Sequence, residues 1–199
     1  MFRDVEEEET SKPLQLRMAD ARLWKSLLGA ISPLIEEASF DADAEGIRLR
    51  AMDPSHVAMV DFEWPKTVFD EYVCDEPAKL CVNISEMQKL LRRIGKESLE
   101  ISLDAEAARI KMVFTGTGGL GDVRTEFPKS CEDVLGFEVK EASRASYDLS
   151  YLSEIVRGAG ALSDVVTWNY STDLPVRLDF ELPRGGRLEY YLAPRIEAE

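Results

Sequence analysis

One local pattern occurs three times along this chain: an alternating run, a helical run, then short alternating runs. In the first cycle "LQLRM" alternates as a strand, and "ADARLWKSLLGAISPLIEEASF" sets Leu23, Leu27, Leu28, Ile31, Leu34 and Ile35 at helical spacing. Pro33 inside that run is expected to kink or shorten the helix. "SFDADAEGIRLRAM" then reads as two strands around a turn at Glu45-Gly46, and "VAMVDFEW" as a third, ended by Pro65. In the second cycle "KLCVNI" is a strand and "SEMQKLLRRIG" a helix, with Ser85 as N-cap and Gly95 at its end. "SLEISLD" and "ARIKMVF" follow as strands joined by a turn at Ala105-Glu106. In the third, "LGFEVKEA" is a strand and "LSYLSEIVRGAGAL" a helix ending in glycines. "DVVTWNY", "VRLDFEL" and "GRLEYYL" complete it as strands. Recurrence of one supersecondary unit points to a modular α+β protein, of a kind that suits ring-like assembly.

Bulk properties narrow the function. The 199 residues allow a substantial core, and no apolar run approaches the roughly 18–20 residues of a membrane span. "MFRDVEEEET" has neither the basic nor the apolar region of a secretory signal; residues 1–13, with Glu6 to Glu9 in a row, read as an acidic disordered extension. Cys74, Cys81 and Cys131 are odd in number and lack a CxxC pair, which reads as buried thiols in a reducing, intracellular compartment. A formal net charge of −14 opposes simple electrostatic attraction to nucleic acid or anionic lipid.

Two stretches could carry chemistry. "GTGGLG", residues 116–121, matches G-x-G-x-x-G after a strand, but the following "DVRTEFPKSCEDV" alternates and meets Pro128 instead of opening a helix. Without helix N–H groups to face a pyrophosphate, a nucleotide-dependent oxidoreductase is disfavoured. The lone histidine, His56, lies within four residues of Asp53 and Ser55 on one tight turn, an arrangement poorly suited to a catalytic relay. No second histidine is present to complete a metal site. His56 reads as a turn or interface residue, and the chain reads as no enzyme, with no metal and no cofactor.

"IRLRAMDPSHVAMVDFEW" and "GRLEYYLAPRIEAE" closely resemble the sliding-clamp family of archaea and eukaryotes, proliferating cell nuclear antigen. The similarity runs from Leu14 to about Phe114 and resumes from about Gly121 to Glu199. It implies a DNA-clamp fold: strand-helix-strand units with helices on one face and antiparallel sheets on the other. It also implies a processivity factor that encircles duplex DNA and tethers replication and repair proteins. Partners would be DNA polymerase, clamp loader, flap endonuclease and DNA ligase, bound through short client motifs, with no membrane. The assembly would be a homo-oligomer, a trimer in the family, or one formed with a paralogue. The location would be cytoplasmic, with nucleoid association in an archaeon, or nuclear in a eukaryote.

Roles for particular residues follow from the same resemblance. Lys89, Arg92, Arg93 and Lys96 against Glu86 give "SEMQKLLRRIGK" a surplus of +3, and Arg22, Lys25 and Arg157 lie on the other two helices. These would line the hole and meet phosphates without reading bases. Met52, His56, Val57 and Met59 would form one wall of a partner-motif pocket. Pro175 and the segment Tyr191, Leu192, Ala193, Pro194, Arg195, Ile196 would form another. A plain core role for the methionines is the competing reading.

The sequence departs from the family at its centre. "ARIKMVFTGTGGLGDVRTEF" runs from near the end of the first domain (14–115) through a glycine-rich seam (116–121). It continues into the C-terminal half only of a second domain (122–199). The connector loop and the first half of that domain, about a quarter of the usual length, have no counterpart. Three units stand where the family has four. A helix thereby loses its packing partner, which predicts an apolar face for another chain to cover. The alternative function is a non-encircling adaptor that binds client motifs without tethering DNA.

Overall fold

The computed structural model of the chain describes residues 13–92, 95–104, 109–113, 143 and 145–195. The glycine-rich seam, "LGFEVKEA", Cys131, Arg93, Ile196, Glu6 to Glu9 and the turn at Ala105-Glu106 lie outside the described residues.

The first cycle folds as β1 (Leu14–Met18), α1 (Ala21–Ile31), β2 (Glu37–Asp43), β3 (Gly46–Met52) and β4 (Ala58–Pro65). Asp20 caps α1 by accepting the Arg22 N–H at 3.0 Å. Ala21, Trp24, Leu27, Leu28, Ala30 and Ile31 form its buried face. The helix stops at Ile31, two residues before Pro33, so Leu34 and Ile35 are buried in the following turn and not on the helix. Gly46 opens β3 where a Cβ would meet the Trp64 carbonyl oxygen at 2.1 Å, so only glycine fits that hairpin.

The second cycle comprises β5 (Glu71–Cys74), β6 (Ala78–Asn83), α2 (Ile84–Leu91), β7 (Leu99–Asp104) and β8 (Arg109–Val113). β5 was not legible as a strand: it is four residues long and carries a charge, and pairing with β1 makes it. The N-cap of α2 is Asn83, not Ser85. Asn83 keeps extended dihedrals at the end of β6 and its side chain accepts the Glu86 N–H at 3.0 Å, which places Ser85 inside the first turn. Ile84, Met87 and Leu91 are buried at positions i, i+3 and i+7. The helix ends at Leu91, so Gly95 lies beyond its cap.

The third cycle provides α3 (Leu149–Ala159), β9 (Thr167–Asn169), β10 (Val176–Glu181) and β11 (Arg187–Leu192). Asp148 caps α3 through the Ser150 N–H at 2.9 Å, and Gly160 stands at its C-cap as the glycine signal predicts. Only three residues of "DVVTWNY" are strand.

Among the described residues two antiparallel sheets result, ordered β5-β1-β7-β8 and β6-β2-β3-β4-β11-β10-β9. The larger sheet joins N- and C-terminal parts of the chain where β4 pairs with β11, Leu188 opposite Phe62 and Tyr190 opposite Val60. Trp24, Phe40, Phe62 and Trp64 stack beneath α1 with ring centroids 5.1–6.1 Å apart. On the opposite face of the same sheet one row alternates in sign: Lys79, Asp41, Arg48, Glu63, Arg187, Glu181, each the registered neighbour of the next. Opposite charges across strands favour this register over a slip. Cys81 is exposed, contrary to a buried thiol, because alternation along β6 sends Leu80 and Val82 inward and Cys81 outward. Cys74 is half-buried.

Helices α1 and α3 cross at Gly158, where a Cβ would lie 2.9 Å from the Ala30 Cα. The Tyr190 hydroxyl, fully buried, donates to the Ala30 carbonyl at 2.8 Å and fastens the end of α1 to β11. That bond satisfies a C-terminal helix carbonyl without an intrahelical partner.

Candidate functional site

The loop between β3 and β4 is built around Asp53, only 3% exposed. One carboxylate oxygen accepts the Val57 and Ala58 N–H groups at 2.8 and 2.7 Å. The other accepts the Ser55 N–H at 2.9 Å and the Tyr151 hydroxyl at 3.0 Å. Burial acts to raise the Asp53 pKa, but the four hydrogen bonds together outweigh it and hold the carboxyl below its ordinary value. Asp53 is thus the residue that sequence reasoning undervalued. Its signal was an aspartate opening a polar turn, where the side chain can bond backbone N–H groups a few residues on.

His56 has φ of 59°, in the left-handed region, which histidine enters more readily than most residues. Its side chain is exposed and its N–H donates to the Asp53 carbonyl at 3.0 Å. Asp53 is committed to the loop, so no relay from Asp53 through His56 to Ser55 is assembled.

A row of registered side chains runs beside this loop: Met52 opposite Met59, Met59 opposite Tyr191, Tyr191 opposite Arg177. Met52 is 48% exposed and Val57 37%, while Met59 and Tyr191 are half-buried. The Tyr191 hydroxyl donates to Glu189 at 2.7 Å; that bond raises the phenol's pKa and burial adds to it. The Val57 carbonyl accepts the Ala193 N–H at 2.8 Å, which ties the loop to the C-terminal segment. Ala193 and Pro194 are half-buried, and Pro175 and Arg195 are exposed. Leu192 is different. At 2% exposure its side chain belongs to the core, as the alternation Leu188, Tyr190, Leu192 requires, and its side chain cannot line a surface pocket.

The cationic residues gather on the helices. Lys25 on α1 donates to the carbonyl of Arg92, the C-cap of α2, at 3.4 Å. The Ala21 N–H bonds the Glu97 carbonyl at 2.7 Å, bringing the start of α1 to the segment after α2. Arg22 is paired with Asp20, and that bond chiefly lowers the Asp20 pKa, with Lys96 lowering it further. Lys89 pairs with Glu86 at 2.6 Å, one turn back on α2. Arg22, Lys25, Arg92 and Lys96 therefore occupy one neighbourhood, whereas Arg157 lies in the last turn of α3, a helix that packs on α1. Among the described residues, no group of three or more His, Cys, Asp and Glu side chains is placed to hold a metal ion. No described helix is long and apolar enough to cross a membrane.

Paired antiparallel sheets with helices packed on one side define a clamp-type α+β fold. The comparisons name the family. Residues 13–119 match the proliferating cell nuclear antigen N-terminal domain and residues 75–195 match its C-terminal domain, so the chain belongs to that family. It is 30% identical to a DNA polymerase sliding clamp of Nitrosopumilus maritimus, an alignment covering 87% of this chain and 95% of the relative. It is 31% identical to DNA polymerase sliding clamp 3 of Aeropyrum pernix, over 90% of this chain and 97% of the relative. Both alignments, 235 and 243 positions, exceed the 199 residues of this chain, so the relatives carry positions without a counterpart here. In fold the chain is similar to one in the crystal structure of a PCNA2-PCNA3 complex from Sulfolobus tokodaii. The TM-score is 0.71 at 21% identity, covering 92% of this chain and all of that one.

Proposed function

We propose that this chain is a DNA polymerase sliding clamp, a non-catalytic processivity factor that encircles duplex DNA. The observation that carries the reading is its collinear similarity to sliding clamps along nearly their whole length. The cationic neighbourhood of Arg22, Lys25, Arg92 and Lys96 supports a phosphate-facing surface in an otherwise acidic protein. Arg93, Lys89 and Arg157 complete that surface in this reading. The row Met52, Met59, Tyr191, beside His56, Val57, Pro175 and the Ala193–Ile196 tail, is the proposed seat for client motifs of polymerase, clamp loader, flap endonuclease and ligase. Residues 14–115 are the first clamp domain and 122–199 the second half of another, joined at the 116–121 seam. The protein works beside DNA in the cytoplasm or nucleus, as an oligomer of this chain or with a paralogue.

Primer extension on a long single-primed template tests the reading. Adding the protein with a clamp loader to its cognate polymerase is expected to lengthen products made in one binding event. Unchanged product length would remove the processivity role. One observation favours a second reading: the relatives carry positions that this chain lacks, and a chain without them can act as an adaptor that binds clients and leaves DNA free. Client-peptide binding without any gain in product length is the signature of that adaptor.

A further inference from the structure

Three irregular segments leave one end of the seven-stranded sheet. The loop 53–57 joins β3 to β4, the segment 170–175 joins β9 to β10, and the tail from Ala193 follows β11. The registered row Met52, Met59, Tyr191, Arg177, Asn169 crosses the sheet at that end. Loop and tail touch there directly, through the Ala193 N–H and the Val57 carbonyl at 2.8 Å.

All three segments also meet the start of α3. The Tyr151 hydroxyl donates to Asp53 Oδ2 at 3.0 Å, the same oxygen that accepts the Ser55 N–H. The Tyr147 hydroxyl donates at 2.7 Å to the carbonyl of Leu174, the residue before Pro175. The Ser146 carbonyl accepts at 2.7 Å the N–H of Arg195, the residue after Pro194. One short stretch, residues 146–151, therefore bonds to the loop, to the segment before β10 and to the tail. That stretch is itself fixed. Asp148 accepts the Ser150 N–H at 2.9 Å and the Tyr151 N–H at 3.4 Å, and both tyrosines pack against the core. Ile155 and Ala159 bury the inner face of α3, and Gly158 lets the helix lie against Ala30.

We infer that the start of α3 positions the client seat, with Tyr151 and Tyr147 as positioning residues that act through the segments they hold. The inference rests on the reading of Met52, Val57, Met59, Pro175, Tyr191 and the tail as that seat. Every irregular part of the seat is bonded to α3: His56 and Val57 through Asp53, Pro175 through Leu174, and Pro194 through Arg195. A segment that must become ordered when a peptide arrives subtracts that cost from the affinity, whereas a segment already bonded in place does not. Precision at a binding surface comes from such supporting contacts on rigid elements behind it. Two tyrosine hydroxyls and one backbone carbonyl on a packed helix supply that support, so the loop, Pro175 and the tail hold fixed separations before any client binds.

Titration calorimetry with a synthetic peptide of the clamp-binding segment of the cognate polymerase tests this on wild type, Tyr151→Phe and Tyr72→Phe. Tyr151→Phe keeps the ring and removes the bond to Asp53, and should weaken the peptide about fivefold. The Tyr72 hydroxyl lies 2.8 Å from the Gly46 carbonyl, at the other end of β3, so Tyr72→Phe removes a bond of the same kind away from the seat. It should bind the peptide as wild type does. Amide exchange at Val57 and Ala58 should quicken in free Tyr151→Phe without a matching change in β1, which a general loss of stability would not produce. Wild-type affinity or unchanged exchange in Tyr151→Phe, or an equal loss of affinity in Tyr72→Phe, would overturn the inference. If circular dichroism shows Tyr151→Phe unfolded, Tyr147→Phe replaces it, with the same expected loss of affinity and the same overturning result. Binding that Met59→Ala with Pro194→Ala weakens and Tyr151→Phe does not would overturn the positioning role and leave the seat in place. A wild type that does not bind the peptide removes the seat, and the inference with it.

Discussion

The Tyr151 hydroxyl on α3 donates a hydrogen bond to the buried carboxylate of Asp53, 3.0 Å away and ninety-eight residues earlier in the chain. One aspartate thus shapes the loop that presents His56 and Val57 and also fixes that loop to the C-terminal helix. Replacing Asp53 by Ala removes the acceptor of four hydrogen bonds and leaves the buried Ala58 N–H unmatched, at a cost of roughly 2–3 kcal/mol. Tyr151→Phe should cost about 1 kcal/mol. Urea denaturation measures both; equal effects of the two variants would contradict the central place of Asp53.

The same carboxylate predicts an acid response. Its folded pKa lies below the ordinary value, so the stability it contributes is fully present above the unfolded carboxylate pKa, about 3.9. That contribution is lost as pH falls through the folded value. Amide exchange at Val57 and Ala58 should accelerate in that window, and Asp53→Asn should remove the step. Acceleration at the same pH in Asp53→Asn would assign it to another group, such as Glu189 or Asp20, whose pKa values are also lowered.

At the α1–α3 crossing the geometry leaves no room for a side chain. Gly158→Val forces a branched side chain against the Ala30 backbone and should destabilise the fold by about 1–3 kcal/mol. A thermal midpoint matching wild type would mean that the helices separate there without cost.

The proposed DNA face and client seat should be separable. Arg92→Glu with Lys96→Glu should reduce polymerase stimulation severalfold and leave client-peptide affinity unchanged. Met59→Ala with Pro194→Ala should weaken the peptide about tenfold and leave DNA association intact. Titration calorimetry with a client peptide, beside primer extension, reads both. Equal loss of both activities in each variant would dissolve the division.

Much of this was legible in the sequence because burial imposes periodicity. The alternation of "RLEYYL" and the helical spacing of Leu27, Leu28 and Ile31 follow from strands and helices with one buried face, and Pro33 marked where α1 stops; Ala21 and Trp24 on the same buried face were not singled out. Resemblance carried the family, but not the direction of each side chain. Leu192 was grouped with the surface segment around it although alternation sends it inward. β5 and the Asn83 cap escaped because tertiary partners decide them: β5 exists through its pairing with β1, and Asn83 keeps the extended geometry of β6. His56 was read as a turn or interface residue, and its left-handed backbone and the four bonds to Asp53 account for the turn. Nothing local announced the bond from Tyr151, since its partner lies in a distant unit.

Encirclement is the centre of the account, and retention on DNA of different topology measures it. The protein would be loaded with a clamp loader onto nicked circular DNA, freed of loader, and passed over a gel-filtration column before and after linearisation. The account predicts that it stays with the circle and leaves the linear form by sliding off the ends. Loss from both forms, or equal retention on both, would contradict a clamp.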